Sequence, residues 1–237
     1  MQKLPAAPYW QPISKQRISK MNLAEHFLIA TPSLRDPMFE HSVVLIGEHQ
    51  ESGAMGIVIN KPSPVHMEVV FAAIGQNTPA RFAGQYVMMG GPVQTERGFV
   101  LHTPVGNWES SLHINEELAL TTSRDIIDGL TKDKEIDHAL LTIGYSSWKK
   151  GQLEQEIAQN DWLVVPADHD ILFHTLADGR YEFRAAQIGR AFGKLNESRS
   201  CINHPHKAVR SPLILVNSAS AWHKAKPASA LPTHLSR

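Results

Sequence analysis

The apolar residues of this chain come in short blocks separated by polar, glycine- or proline-containing segments. Val43–Gly47, Met55–Asn60, Tyr86–Met89, Gly98–His102, Leu118–Thr121, Ala139–Tyr145 and Trp162–Val165 are such blocks. Blocks this short, bounded by turn formers, read as strands buried in a sheet. Glu48–Ala54, with Gly53, joins the first two as a polar loop and predicts a β-hairpin. Val65–Ile74 carries apolar residues at 65, 69, 70, 73 and 74, a helical stripe. Further helices are expected over Ser123–Leu130, between Ala139–Tyr145 and Trp162–Val165, and over Asp168–Leu176. Hairpins early and a β-α-β-α order late predict a mixed sheet in a single α+β domain.

The net charge of +0 hides an uneven distribution. Residues 1–20 hold four basic and no acidic side chains, and residues 191–237 hold seven basic side chains against Glu197. That leaves 12 Lys/Arg against 22 Asp/Glu in residues 21–190, a net of −10. An acidic body opposes direct nucleic-acid binding, which needs a basic face to displace counterions. No run of apolar residues is long enough for a transmembrane helix, and the proline- and lysine-bearing start is no secretory signal. The single cysteine, Cys201, suits a reducing compartment, so a cytoplasmic protein is expected. Residues 1–20 and 191–237 read as basic, disordered extensions of a domain over 21–190.

The stretch GYSSWKKGQLEQEI (144–157) places Gly-x-Ser after an apolar block, as a serine hydrolase does. A nucleophile elbow needs a small residue two places after the serine, where strand and helix pack closely, and Trp148 stands there. Ser146 is therefore expected to be structural, at a junction between strand and helix. In the helix that follows, Gly151 breaks the chain, Glu154 lies in the first turn, and Asn160 suits a left-handed terminal position. Leu153 and Ile157 share one face toward the sheet.

LTTSRD (120–125) is the best anion-site candidate. Thr122 and Asp125 fit the spacing of a helix capping pair, and Ser123 and Arg124 add a hydroxyl and a guanidinium. MGGPVQTERGF supplies Gly90 and Gly91 at a strand end, where backbone could approach a ligand, and Arg97 before the next strand. Neither Gly-x-Gly-x-x-Gly nor a phosphate-loop motif occurs, so no nucleotide cofactor is implied. Cys201, His204 and His206 lack a fourth ligand at zinc-site spacing, and no metal is expected. No complete catalytic constellation appears.

Several stretches in this order, HFLIATPSLRDPMFEHSVVLIGEH, GAMGIVINKP, MGGPVQTERGFVLH, LALTTSRDI, GYSSWKKGQLEQEIAQNDWLVVPAD and DILF, resemble the AlgH/YqgE family of bacterial proteins. The resemblance spans about 22–188. It implies one α+β domain whose mixed sheet folds into a pseudo-barrel with helices packed outside. It also carries a transcriptional-regulator label that rests on genetic association, with no DNA-binding motif. The family's usual wording at 144–148 is Gly-Tyr-Ala-Gly-Trp, so a serine at 146 is not a family feature. Family members commonly begin near Asn22 and end soon after the domain, which makes Met21 the expected start and a frameshift or readthrough the expected origin of the tail. Tyr145, Trp148 and Gln152 are large or polar at a turn that capping does not explain, and are expected to form a contact surface. The function expected is that of a non-enzymatic regulatory or interaction protein. A small anionic-ligand-binding domain or unrecognised enzyme, using the Thr-Thr-Ser-Arg junction and the Gly-Gly-Pro turn, is the alternative.

Overall fold

The computed structural model describes residues 22–132, 136–177 and 179–182. The expected basic extension, the tail and the Cys201–His206 ligands all lie outside them. Ten strands form one curled, half-barrel sheet: β1 (His26–Ala30), β2 (Val43–Gln50), β3 (Gly53–Val58), β4 (Pro62–His66), β5 (Tyr86–Met89), β6 (Val93–Thr103), β7 (Ser111–His113), β8 (Ala119–Thr121), β9 (His138–Lys149) and β10 (Trp162–Pro166). Their main order is β10-β1-β2-β3-β9-β6-β8-β7, with β4 on β5 and β5 on β9. The β5–β9 pair is parallel and the others are antiparallel. Short helices among the described residues include α1 (Met67–Ala73), α2 (Asp125–Gly129), α3 (Gln152–Ala158) and α4 (His169–Phe173).

Strand alternation explains why the sequence blocks are continuously apolar rather than half polar. Phe27, Ile29, Val43, Leu45, Ile57, Phe99, Leu101 and Leu140 point to one side and form the inner core, which Ile171 and Leu172 of α4 also join. Their neighbours Leu28, Ala30, Val44, Ile46, Val58 and Val164 point the other way, under Leu153 of α3. Val100 and Leu141 do the same under Met67 and Phe71 of α1 and Ile126 of α2. Both faces of the sheet are covered, so the strands need apolar residues at every position.

β9 is longer than the sequence implies. Gly144, at φ +70°, bends it rather than ending it, and the strand continues through Ser146 and Trp148 to Lys149, paired with Gly53–Gly56 of β3. The expected strand-to-helix junction at Ser146 therefore moves to Lys150 and Gly151. The reason is a backbone crossing: Gly90 and Gly91 lie against Gly144–Ser146, and a Cβ on Gly91 or Gly144 would overlap main-chain atoms of the other segment. The 48–54 loop is likewise shorter than expected. β2 and β3 pair out to Gln50 and Gly53 around a bulge between Ile46 and Glu48. Downstream, the reading of α3 holds: Gly151 precedes it at φ 75°, Leu153 is buried, and Asn160 is left-handed at φ 63°.

Candidate functional site

The curl of the sheet leaves an open cleft of about 480 Å³ at one end, walled by the β2–β3 hairpin, β6 and β9. Four residues singled out from sequence line it together: Arg97, Thr122, Tyr145 and Trp148. Alternation along β9 sets their roles. Tyr145 and Ser147 face the cleft side, and the Tyr145 ring lies 5.4 Å from that of Phe99. Ser146 and the Trp148 indole are buried on the other side, so Trp148 borders the cleft without presenting its ring to it.

Arg97 is exposed on β6, and its Nη2 donates to the Thr122 hydroxyl at 3.0 Å. That is its only hydrogen bond or ion pair among the described residues. Because Thr122 Oγ1 accepts from the guanidinium, its own proton is free to point elsewhere. Cation and hydroxyl thus form a paired donor set at the cleft wall. Glu48, held by the side-chain amide of Gln50, stands on the opposite wall, and Met55 and Phe99 supply apolar surface. No histidine lines the cleft. Glu48, Gln50, Met55, Gln94 and Phe99 escape a sequence reading, because only the pairing of β3 and β6 with β9 brings them to one mouth.

Thr122–Arg124 also borders a second concavity of about 450 Å³, between α1, α2 and the sheet. Val69, Val70, Ile74, Ile127 and Ile143 make it mostly apolar, with exposed Arg124 at its edge. The capping role expected of Thr122 is not observed. α2 starts at Asp125 with Arg124 at the cap position, so Thr122 is two residues too far upstream, and its hydroxyl accepts from Arg97. Ser123 bonds Asp125 instead, and both hold the neighbouring loop: Ser110 N–H donates to Ser123 Oγ at 3.2 Å and Glu109 N–H to Asp125 Oδ2 at 3.0 Å. Burial pushes the Asp125 carboxyl up, but hydrogen bonds from the Ser123 hydroxyl and from the Glu109 and Ile126 N–H groups together outweigh it and hold the carboxyl below its usual value.

The remaining candidates fall elsewhere. Gly90 and Gly91 are buried, and the group that approaches them closely is the β9 backbone, not a ligand. The Gly90 N–H donates to Ile143 and its carbonyl accepts from Val58 N–H, both at 2.8 Å, and from Ser146 Oγ at 3.2 Å. Trp148 is 6% exposed, so its indole is core rather than contact surface. Gln152 accepts from Lys149 N–H and donates to Glu156, each at 3.0 Å, and so braces the turn into α3.

Comparison with known proteins identifies the family. An AlgH-like family model matches residues 27–192. The chain belongs to the AlgH-like family. A UPF0301 protein of Neisseria meningitidis serogroup B is 54% identical over 169 residues, which is 71% of this chain and 93% of the relative. A UPF0301 protein of Azoarcus is 45% identical over 177 residues, 74% of this chain and 94% of that one. The solution structure of the AlgH protein from Pseudomonas aeruginosa aligns with TM-score 0.61 at 37% identity, covering 79% of this chain and 97% of the other. A crystal structure of a Corynebacterium diphtheriae protein aligns at 0.52 with 25% identity, covering 62% and 78%. The AlgH-like fold is thus shared, half-barrel and helices together. No helix among the described residues of this family member is long and apolar enough to cross a membrane.

Proposed function

We propose that this AlgH-like protein is a cytoplasmic, non-enzymatic regulatory or interaction protein that reads an anionic group at the Arg97–Thr122 cleft. The observation that carries the reading is Arg97, a cation with one neutral hydroxyl partner and no carboxylate in ion-pair reach among the described residues. A guanidinium held this way offers donors to a carboxylate or phosphate, Thr122 adds a hydroxyl beside it, and Tyr145 lines the same cleft. The cleft volume suits a small ligand or the acidic tip of a partner segment, with Phe99 and Met55 against its apolar part.

Two observations favour binding over catalysis. Ser146 is fully buried and donates to a main-chain carbonyl. Neither the cleft nor the concavity beside Arg124 carries a histidine to serve as a general base. Direct DNA binding is disfavoured by the net −10 of residues 21–190.

A thermal-shift screen with carboxylates, phosphorylated metabolites and nucleotides tests the reading. Stabilisation of the wild type that is absent in Arg97→Ala is the expected result. A ligand at a hundredfold its dissociation constant stabilises by about 2.7 kcal/mol. Equal responses of the two proteins to every ligand would sink the cleft as the binding site. A mobility-shift assay at near-physiological salt is expected to show no DNA complex at micromolar protein.

A further inference from the structure

Three histidines and an aspartate converge where α4 crosses the start of β9, away from the cleft. Asp168 fixes the first turn of α4 by accepting from the N–H groups of Asp170 and Ile171. Ile171 and Leu172 are buried in the inner core, which turns His169, Asp170 and His174 outward together. One donor atom from each of these three lies within 4.8 Å of the other two. His138, at the head of β9, packs its ring 5.1 Å from His169 and 4.8 Å from His174.

We infer that His169, Asp170 and His174 bind a divalent transition metal of the zinc class, with His138 bracing the two imidazoles from the sheet. The donor chemistry selects the ion: two imidazoles and one carboxylate suit zinc, cobalt, nickel or copper, whereas magnesium and calcium take oxygen ligands. The dimensions agree. With metal–ligand bonds of about 2.1 Å, two ligands of a tetrahedral ion lie about 3.4 Å apart. Asp170 Oδ1 and His174 Nδ1 are already 3.2 Å apart. The His169 and His174 ring centroids are 5.6 Å apart, close to the roughly 5 Å that two imidazoles on one such ion would show. All three side chains are exposed, so small rotations close the remaining gap.

His138 makes the arrangement more than a polar surface cluster. Its ring stacks on Phe173 at 5.4 Å and 25°, which holds it against α4. Three protein ligands leave at least one coordination position for water or a group from another molecule. Sequence spacing hides the site: His169 and His174 are five apart rather than four, and His138 lies 31 residues before His169.

Calorimetric titration of the metal-stripped full chain with Zn²⁺ tests this. One site is expected, with affinity falling at least tenfold in a His169→Gln, His174→Gln double variant whose circular dichroism is unchanged. A Cys201→Ser, His204→Gln, His206→Gln variant is expected to bind as the wild type does. Absence of binding at micromolar Zn²⁺ would overturn the inference. So would binding that survives the first variant, whether or not the second removes it.

Discussion

The indole N–H of Trp148 donates to Glu156 Oε2 at 2.8 Å, and the same oxygen accepts from Trp162 at the same distance. One carboxylate on α3 therefore ties the end of β9 to the start of β10. The two indoles meet edge to face at 6.2 Å, and Phe39 packs against both. Gln152 donates to the other carboxylate oxygen at 3.0 Å.

Glu156→Ala leaves two indole donors without their acceptor beneath a covered face. Such losses cost about 1–3 kcal/mol each when buried, and this carboxylate is only half-buried. A net destabilisation of about 2–3 kcal/mol is expected in urea unfolding, while Glu156→Gln, which keeps an oxygen acceptor, should lose about half as much. Equal losses from the two variants would show that the hydrogen bonds contribute little.

This hub marks the boundary of what was legible in the sequence. Strand positions were readable because both sheet faces are buried, so each block stays apolar over its length. The Leu153–Ile157 face and the left-handed Asn160 were readable because helix periodicity and turn chemistry are local. What was not readable depends on which strands meet. Trp148 reads as surface next to polar Ser147 and Lys149, until β9 continues past Gly144 and α3 folds over it. Thr122 matches a capping pattern, but its partner is Arg97, 25 residues away on another strand.

Glycine substitutions along β9 and into α3 should separate backbone strain from steric overlap. Gly144 and Gly151 share the left-handed region, at φ +70° and +75°. A Cβ at Gly151 meets nothing within 4 Å, whereas one at Gly144 overlaps the Gly91 carbonyl and lies 3.0 Å from that of Val93. Gly151→Ala is expected to cost about 1 kcal/mol, the left-handed penalty alone. Gly144→Ala should exceed about 3 kcal/mol, because main chain must move. Similar unfolding midpoints for the two variants would refute the close crossing of the 90–91 and 144–146 segments.

Stability should fall on mild acidification, with His102 a main cause. Its ring is fully buried: Nδ1–H donates to the Pro104 carbonyl at 2.9 Å, and Nε2 accepts from Thr121 Oγ1 at 2.8 Å. Burial pushes its pKa below the ordinary value, outweighing the raising effect of the Pro104 carbonyl, and His113 adds to the lowering. A base with a depressed folded pKa binds fewer protons when folded. Its unfavourable contribution therefore appears as pH falls through the unfolded value of about 6.5 and is absent above it. His138, shifted in the same direction, adds to the effect. Unfolding free energy should decline from pH 7 to pH 5, and His102→Asn should flatten that slope while lowering stability at pH 7. A slope unchanged in the variant would remove His102 as a contributor.

Ser146 offers the last contrast, between a hydrogen bond and a volume. Its hydroxyl donates to Gly90 O at 3.2 Å, but that carbonyl already accepts from Val58 N–H at 2.8 Å. Ser146→Ala therefore leaves no acceptor unsatisfied and should cost about 0.5–1 kcal/mol, with ligand responses unaltered. Ser146→Val places a second branch in a site with no free volume, since a Cβ on Gly91 would already overlap Ser146 Oγ. An overpacking cost of about 1–3 kcal/mol is expected there, read from the same urea curves. If Ser146→Ala abolished a ligand response while leaving stability intact, the serine would have a chemical role that its burial argues against.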